Sequence, residues 1–302
     1  MSSADENVCA NCGIAGVDNI KLEECDDCDL VKYCSDKCKE DHREQHAEEC
    51  KKRAAKLHDK RLFTQSDGTH LGECPICFLP LPLQKEKSTF MSCCGQTICN
   101  GCGYAHYMSN IHDRVNALRC LFCRTSASNM KEYRKREQER IEANDPDALR
   151  YRGSECYQEG DWDRAVEYWT KAAKLGNAEA HYQLGCSYGE GVGVRVRDDD
   201  KAVYHYEKAS IGGHPDARYN LACYEEIGSM ERAVKHWIIA ANLGDDKSMK
   251  ELLSSYKNGF ITKEKYGATL RAHQAAINAT KSAERDFAEE AIRTKTHPTN
   301  FH

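Results

Sequence analysis

Closely spaced cysteines between residues 74 and 124 constrain the fold of this chain more than any other feature of its sequence. A Cys-x2-Cys pair presents two thiolates from one tight turn, which is half of a tetrahedral zinc site. Three such pairs and one adjacent cysteine pair supply eight thiolates, enough for two zinc ions with four ligands each. The eight residues are Cys74, Cys77, Cys93, Cys94, Cys99, Cys102, Cys120 and Cys123.

The distribution of cysteine favours metal binding over disulfide bonds. Of the 18 cysteines among 302 residues, 15 lie before residue 124. The chain begins with a polar segment without a hydrophobic signal core, and no apolar run approaches the roughly 18–20 residues that cross a bilayer. We therefore expect a cytoplasmic or nuclear protein, where clustered cysteines bind metal. Cys156, Cys186 and Cys223 lie singly in helical sequence, and we expect them to be small core residues.

A second array of metal-ligating residues lies between residues 9 and 50. It combines two Cys-x2-Cys pairs with one Cys-x3-Cys pair and one His-x3-Cys pair. Residues four apart share one face of a helix, so the x3 spacings indicate helical turns. The array fills two further tetrahedral sites, which gives a predicted total of four zinc ions, two per module. Its ligands are Cys9, Cys12, Cys25, Cys28, Cys34, Cys38, His46 and Cys50.

The array from residue 74 to residue 124 resembles a RING finger, a family in which the ligand pairs alternate between the two ions. Most RING fingers carry a histidine near the middle, where this sequence has Gln96. The all-cysteine variant restores the ligand count with two consecutive cysteines, and His106 is the alternative ligand if Cys93 is free. The resemblance implies one site formed by Cys74, Cys77, Cys99 and Cys102, and another formed by Cys93, Cys94, Cys120 and Cys123.

The earlier array resembles a MYND finger through its Tyr33-Cys34-Ser35 element and its closing His-x3-Cys pair. MYND fingers generally bind short proline-rich peptides in a groove lined by a glutamine and a tryptophan. Lys39 and Arg43 occupy the corresponding positions here. The resemblance implies one site formed by Cys9, Cys12, Cys34 and Cys38, and another formed by Cys25, Cys28, His46 and Cys50.

Two charged segments separate the predicted modules. Residues 51–70 read as a helical linker, and Gly68 and Gly72 predict a flexible break at its end. Residues 126–145 form a second linker, which is almost entirely charged or polar over residues 130–143. Such a run predicts an exposed helical spacer.

Residues 146–250 are repetitive, with offsets of 31 to 37 residues between matching small residues. That period is typical of helix-turn-helix repeats that stack into a solenoid. The middle unit, with Tyr182-Gln183-Leu184-Gly185, resembles a Sel-like repeat, a relative of the tetratricopeptide repeat. The first and third units lack five or six residues of its Gly-x-Gly loop, so we expect shorter turns there. Aromatic residues in the second helices are expected in the core, namely Tyr168, Trp169, Tyr204, Tyr206 and Trp237.

The repeat pattern decays beyond Lys250. A closing helix pair is expected there because solenoid ends need a capping unit. Residues 270–292 are expected to extend this cap as an amphipathic helix, and residues 294–302 to be disordered. The apolar residues of the cap are Leu252, Leu253, Tyr256, Phe260, Ile261 and Tyr266.

The predicted fold class is two small zinc-stabilised α+β finger modules followed by an all-α helical-repeat solenoid. The repeats with their capping helices are expected to end near residue 275. The predicted segments are a disordered tail (1–8), a MYND-like finger (9–50), a helical linker (51–70), a RING-like finger (71–125), a charged helical linker (126–145), helical repeats (146–275), and a C-terminal helix with a disordered tail (276–302).

The sequence contains no nucleophile–base constellation, and we predict no catalytic residue. Four protein ligands leave no open position on each ion for a catalytic water, so the zinc sites are expected to be structural. The resemblance to RING fingers implies a ubiquitin ligase that positions a ubiquitin-conjugating enzyme without a covalent intermediate. In that family an aliphatic residue in the first Cys-x2-Cys pair and a basic residue after the last ligand contact the conjugating enzyme. Here these are Ile76 and Arg124.

Two interpretations of function remain open at this point. In the first, the chain is a zinc-binding adaptor with ligase activity, whose helical repeats or MYND-like finger recruit substrate proteins. In the second, it is a non-enzymatic scaffold in which every module only binds other proteins. The net charge of −5 disfavours nucleic acid as a partner. A membrane partner is not expected either.

Overall fold

The computed structural model describes residues 8–16, 21–117, 119–126 and 130–294, without the side chains of Arg114, Val115 and Met130. The tails predicted to be disordered lie outside this part of the chain, except for Val8 and Thr294. The chain divides into two compact units, Met1–Thr64 and Gln65–His302. None of the helices in the described ranges is long and apolar enough to cross a membrane.

Short strands occur only near the cysteines of the described chain, and helices form the rest. The strands are β1 Glu23–Glu24, β2 Lys32–Tyr33, β3 Ser88–Met91 and β4 Gln96–Cys99. The helices are α1 Asp36–Leu62, α2 Asn100–Ser109, α3 Arg114–Ala117, α4 Met130–Glu142, α5 Pro146–Gln158, α6 Trp162–Lys174, α7 Ala178–Glu190, α8 Asp199–Ile211, α9 Pro215–Glu226, α10 Met230–Asn242, α11 Asp246–Lys257, α12 Lys263–Ala279 and α13 Ala283–Arg293.

The first unit consists of a small antiparallel β1–β2 pair and the 27-residue helix α1. Ser35 caps α1, because its hydroxyl oxygen accepts a hydrogen bond from the backbone N–H of Cys38 at 3.3 Å. Three predicted metal ligands, Cys38, His46 and Cys50, follow at spacings of eight and four residues and share one face of the helix.

The second cysteine module, defined here as residues 71–126, is built on a β-hairpin followed by a helix. Strands β3 and β4 pair in antiparallel register from Ser88↔Cys99 to Met91↔Gln96. Helix α2 begins directly after β4. Leu81, Met91 and Ile98 are buried among the sulfurs of the module and form its small apolar core.

Helices α5 to α10 form three antiparallel pairs that stack in sequence order. A glycine in the first helix of a pair lets an aromatic ring of the second approach closely. A Cβ atom on Gly153 would lie 2.6 Å from Trp169, and one on Gly185 would lie 2.6 Å from Tyr206. The turn between α7 and α8 spans residues 191–198 and is longer than the other two intrapair turns, as the sequence indicated.

Two expectations about the core of the solenoid are wrong. Trp169, Tyr206 and Trp237 are buried, but Tyr204 is 50% exposed because it lies two residues, or about 200° of helix rotation, from Tyr206. Of the three single cysteines, Cys156 is buried, Cys186 is half-buried, and Cys223 is exposed.

The C-terminal helices also differ from expectation. Leu252 and Ile261 lie in the core of the solenoid end, whereas Leu253, Tyr256 and Phe260 are exposed. The amphipathic segment is split, because Ser282 caps a separate helix through the backbone N–H of Arg285 at 3.3 Å. This helix, α13, packs against α2 of the second cysteine module instead of extending the solenoid.

Neither segment beside the second cysteine module behaves as a free linker within the described chain. On one side, the backbone N–H of His70 donates to the carbonyl of Gly213 at 3.0 Å, so the flexible break expected at Gly68 and Gly72 is a packed segment. On the other side, the expected spacer forms α4. Its Tyr133 packs against the core of the module, and Arg140 donates to the carbonyl of Ser92 at 2.8 Å.

Candidate metal centres

Four of the Cys-x2-Cys pairs adopt one backbone conformation, which we call the knuckle. In each, the residue after the second cysteine has a positive φ, and its N–H donates to the carbonyl of the first cysteine at 2.8 to 3.2 Å. The turn aims further N–H groups at the sulfurs, and those of Cys77 and Ile76 help to lower the pKa of Cys74. Such turns preorganise thiolates for a cation. The positive-φ residues are Gly13, Asp29, Phe78 and Arg124.

The remaining Cys-x2-Cys pair lies at the start of a helix. Cys99 is the N-cap of α2, and its sulfur accepts a hydrogen bond from the backbone N–H of Cys102 at 3.5 Å. Because the N-terminus of a helix favours negative charge, this position suits a thiolate.

The structure brings the sixteen predicted ligands together in four groups, whose ligand atoms lie within 4.8 Å of one another. Both groups of the second cysteine module alternate along the sequence. The groups are site 1 (Cys9, Cys12, Cys34, Cys38), site 2 (Cys25, Cys28, His46, Cys50), site 3 (Cys74, Cys77, Cys99, Cys102) and site 4 (Cys93, Cys94, Cys120, Cys123).

The sulfur–sulfur distances fit zinc and exclude disulfides among these pairs. Zn–S bonds of 2.3 Å in a tetrahedron place the sulfurs about 3.8 Å apart. The distance between Cys74 and Cys102 is 3.8 Å, and that between Cys94 and Cys120 is 3.6 Å. A disulfide would bring two sulfurs to about 2.05 Å.

The thiols of each group influence one another strongly. The hydrogen bond with Cys99 lowers the pKa of Cys74 to about 4. The same contact raises the pKa of Cys99 well above its ordinary value. In site 1, the contact with Cys12 raises the pKa of Cys34 to about 12. Four adjacent sulfurs therefore become thiolates together only when a cation compensates their charge, which zinc would supply.

The geometry favours Cys93 over His106 as the candidate fourth ligand of site 4. Cys93 lies in site 4, with its sulfur 3.4 Å from that of Cys123. His106 lies on α2, where its Nε2 atom is 3.1 Å from the carbonyl oxygen of Asn116 and belongs to none of the four groups. Gln96, at the position where a histidine was expected, is exposed at the start of β4.

Two basic residues lie where the resemblance to MYND fingers implies a peptide groove in the first unit. Lys39 forms an ion pair with Asp26, which lies inside the knuckle of site 2. Arg43 is exposed one turn further along α1. Neither residue presents the amide or indole surface of the groove that the resemblance implied.

Ile76 and Arg124, which were predicted to face a conjugating enzyme, lie on two different knuckles. The side chain of Ile76 is 38% exposed, and Arg124 is exposed with a φ of 59°. Sequence reasoning missed two exposed aromatic residues beside them, Phe78 at 72% and Phe122 at 40% exposed. Their exposure could have been inferred from their positions, because Phe122 lies within a Cys-x2-Cys turn and Phe78 directly follows one.

A fifth group contains His70, Glu179 and His214, but its hydrogen bonds favour a metal-free clamp. The Nδ1 atom of His214 accepts the backbone N–H of Ala217 at 3.3 Å, so a neutral His214 carries its proton on Nε2. That Nε2–H donates to Glu179 at 2.9 Å and is not available to a metal. Lys85 donates to the other carboxylate oxygen of Glu179 at 3.0 Å. We call this group the Glu179 clamp.

Two families match parts of the chain. The MYND finger matches residues 9–50, and the Sel1 repeat matches residues 146–177, 178–214 and 215–245. The chain carries a MYND finger and three Sel1 repeats. The MYND finger and the cysteine groups together indicate zinc binding. None of the curated proteins compared with the chain matches it.

Several solved structures resemble the chain. A Sel1 repeat protein from Oxalobacter formigenes is 28% identical, with 39% of this chain and 95% of that chain covered and a TM-score of 0.36. A protective antigen of uropathogenic Escherichia coli with an SLR fold is 18% identical, with a TM-score of 0.42. That match covers 66% of this chain but only 42% of the antigen. A Pseudomonas aeruginosa protein is 18% identical over 61% of this chain and 70% of its own, with a TM-score of 0.36.

Proposed function

We propose that this zinc-binding interaction protein is a RING-type ubiquitin ligase. Its MYND finger and Sel1 repeats belong to families that generally mediate protein–protein interaction. The proposal assigns recruitment of substrate proteins to these two elements. It assigns contact with a ubiquitin-conjugating enzyme to the second cysteine module.

The observation that carries the proposal is the alternation of the ligand groups in the second cysteine module. The first and third cysteine pairs converge in site 3, and the second and fourth converge in site 4. In the sequence, the β3–β4 hairpin and helix α2 lie between the first and the last of these cysteine pairs. This connectivity matches the cross-braced pattern that defines the RING resemblance, and the two sites would take one zinc ion each.

The proposed working surface combines Ile76 with Arg124. The exposed part of Ile76 offers an apolar contact to the conjugating enzyme. Arg124 presents forked N–H donors that can bridge two partners at once, which a lysine does less well. The chemical contribution is positioning, because holding the thioester-linked ubiquitin in an attack-ready pose lowers the entropic cost of transfer. No residue of this chain forms a bond to ubiquitin in this scheme.

Four zinc ions are part of the proposal, two in the MYND finger and two in the second cysteine module. All four donor sets are closed, and fifteen of the sixteen ligands are sulfur. Closed sites of this kind stabilise modules that are too small to build a sufficient apolar core. The ions would therefore fix the surfaces and take no part in the transfer step.

An autoubiquitination assay with a panel of conjugating enzymes tests the proposal. We expect ubiquitin chains with the native protein and a loss of at least ten-fold in rate with Ile76→Ala or Arg124→Ala. Ile111→Ala and Arg119→Ala are matched controls, because both residues are exposed in the same module without belonging to the proposed surface. Activity that survives both test variants would refute the assigned surface.

The second candidate function is a protein scaffold without ligase activity. The Glu179 clamp favours it, because it ties the segment before the second cysteine module to the second Sel1 repeat. A module held in this way can order bound partners without any transfer chemistry. Absence of ubiquitin transfer with every conjugating enzyme, in zinc-loaded protein, would decide for the scaffold.

A further inference from the structure

Arg285 on α13 reaches site 3 from the far end of the chain. Its Nη2 atom donates to the sulfur of Cys77 at 3.3 Å, across a separation of 208 residues. The same guanidinium donates to the carbonyl oxygens of Leu79 and Pro80 at 3.3 and 2.7 Å. A further hydrogen bond, to the carbonyl of Thr280 at 2.7 Å, fixes the side chain to the C-terminal end of the preceding helix, α12.

The packing around Arg285 leaves this arginine little freedom. The residue is 5% exposed. A Cβ atom on Gly101 would lie 2.8 Å from the backbone nitrogen and from the Cγ atom of Arg285, so only glycine in α2 allows this approach. Lys87 and Glu289 form an ion pair at 2.7 Å that holds α13 to the module at a second point.

A buried guanidinium beside site 3 would offset the negative charge of a zinc ion with four thiolate ligands. Four thiolates around one Zn²⁺ leave a net charge of −2, which is costly to bury. An N–H donor with a full positive charge compensates part of it and withdraws electron density from the sulfur that it contacts. A thiolate held in this way is a poorer base and a poorer nucleophile, so it leaves the metal less readily.

We propose that α13 is a zinc-retaining element of the second cysteine module, with Arg285 slowing the loss of the ion from site 3 through its hydrogen bond to Cys77. Arg285 is a positioning residue and contacts no substrate. The inference rests on the proposed binding of zinc at this site. It implies that the module extends beyond residues 71–126 and includes a helix near the C-terminus.

Site 4 provides an internal comparison. Arg136 on α4 lies near Cys123, but it is paired with Glu132 at 3.0 Å and its side chain is 39% exposed. Water screens an exposed charge, and the nearby carboxylate cancels much of it. Site 4 should therefore depend far less on Arg136 than site 3 depends on Arg285.

Zinc release from the full-length protein to the chromogenic chelator 4-(2-pyridylazo)resorcinol tests this inference. We expect Arg285→Met to release one of four zinc equivalents about ten-fold faster than the native protein, since outer-shell partners typically contribute ten- to hundred-fold to metal affinity. The other three equivalents should keep their native rates. Arg293→Met is the matched control, because this exposed arginine lies on the same helix and pairs with Glu290.

A native release rate in folded Arg285→Met would overturn the inference. If Arg285→Met does not fold, Arg285→Lys replaces it, because lysine has a single nitrogen, whereas arginine binds Pro80 through Nη1 and Cys77 through Nη2. Equal release rates in Arg285→Lys and Arg293→Lys would then overturn it. Native protein without zinc would instead refute the proposed zinc module itself, so the two failures are distinguishable.

Discussion

The imidazole rings of His70 and His214 stack with their centroids 3.9 Å apart and an angle of 8° between their planes. Both Nε2 atoms face the same carboxylate oxygen of Glu179, at 3.3 and 2.9 Å. His70 precedes the second cysteine module, whereas Glu179 and His214 belong to the second Sel1 repeat. The Glu179 clamp is therefore a polar joint between two elements that the sequence presents as separate.

Glu179→Gln should weaken this joint. The carboxylate accepts from two imidazoles and from Lys85, and Gln183 adds a fourth donor at 2.7 Å. An amide offers one acceptor oxygen and turns its NH₂ group toward donors, so we expect a loss of about 2–4 kcal/mol in the free energy of unfolding. Thermal and urea unfolding of zinc-loaded protein measure this change in the free energy of unfolding.

Glu190→Gln is the matched control for this change. Glu190 is an exposed residue at the end of the same helix, α7, and its replacement should shift stability by less than about 0.5 kcal/mol. Equal effects of the two changes would show that the Glu179 clamp contributes nothing specific.

Native protein should contain four zinc equivalents, and Cys94→Ser should contain three. Loss of one thiolate leaves site 4 with three sulfurs, and a structural zinc ion with an open position binds more weakly. Mass spectrometry of metals in purified protein measures the count. Cys223→Ser should keep all four equivalents, because this exposed cysteine belongs to none of the groups. Fewer than three equivalents in native protein would contradict the assignment.

Gly153→Ala should destabilise the first Sel1 repeat despite the better helix propensity of alanine. Propensity favours the change by at most about 1 kcal/mol. The new methyl group would lie 2.6 Å from the Cδ1 and Nε1 atoms of the buried Trp169, and overpacking costs about 1–3 kcal/mol. The cost of overpacking should therefore exceed the gain in helix propensity, and the free energy of unfolding should fall.

Gly228→Ala tests this explanation with the same change in open surroundings. A Cβ atom on Gly228 would meet its nearest neighbour, the carbonyl oxygen of Glu225, at 3.9 Å. We expect a neutral or slightly stabilising effect in the same unfolding measurement. A loss as large as that of Gly153→Ala would point away from overpacking.

The pair formed by His181 and His205 should make the solenoid less stable in acid. Their Nδ1 atoms are 2.9 Å apart. Burial, with a contribution from His181, lowers the pKa of His205 from 6.5 to about 4, and burial and Lys208 lower the pKa of His181. Between about pH 6.5 and 4 the unfolded chain therefore binds more protons than the folded chain, and stability falls as the pH falls through this window.

His205→Gln should reduce this pH dependence. Because both rings are only partly buried, solvent screening limits the expected difference between pH 7.5 and pH 5 to about 1 kcal/mol. The measurement is the difference in melting temperature between native protein and variant at each pH, since acid loss of zinc affects both proteins alike. A constant difference across the range would contradict the assignment.

The candidate ligand residues were predictable because the spacings that mark them are local in the sequence. A Cys-x2-Cys pair specifies its own turn, and the pairing within the second cysteine module followed from a family resemblance rather than from spacing. The Sel1 repeats were predictable for a related reason, since Gly153 and Gly185 repeat at equivalent positions. Both the cysteine spacings and the repeat period can be recognised within a few dozen residues of sequence.

The packing between these elements was not predictable. Nothing beside Arg285 or Glu179 in the sequence marks a buried partner. The sequence around Tyr133 does not mark its buried contact either. This tyrosine lies in a highly charged segment, for which an exposed spacer was expected. In each case the deciding contact joins residues far apart in the chain, and one sequence carries no record of such pairs.

The separation between Cys77 and Arg285 sets an order of events during synthesis. At about 5–20 residues per second, a ribosome needs roughly 10–40 s to make the 208 residues that follow Cys77. The cysteines of site 3 are thus exposed to the cell well before α13 exists. A nascent chain can capture its metal early, but α13 can cover that site only after the ribosome has made residues 283–293.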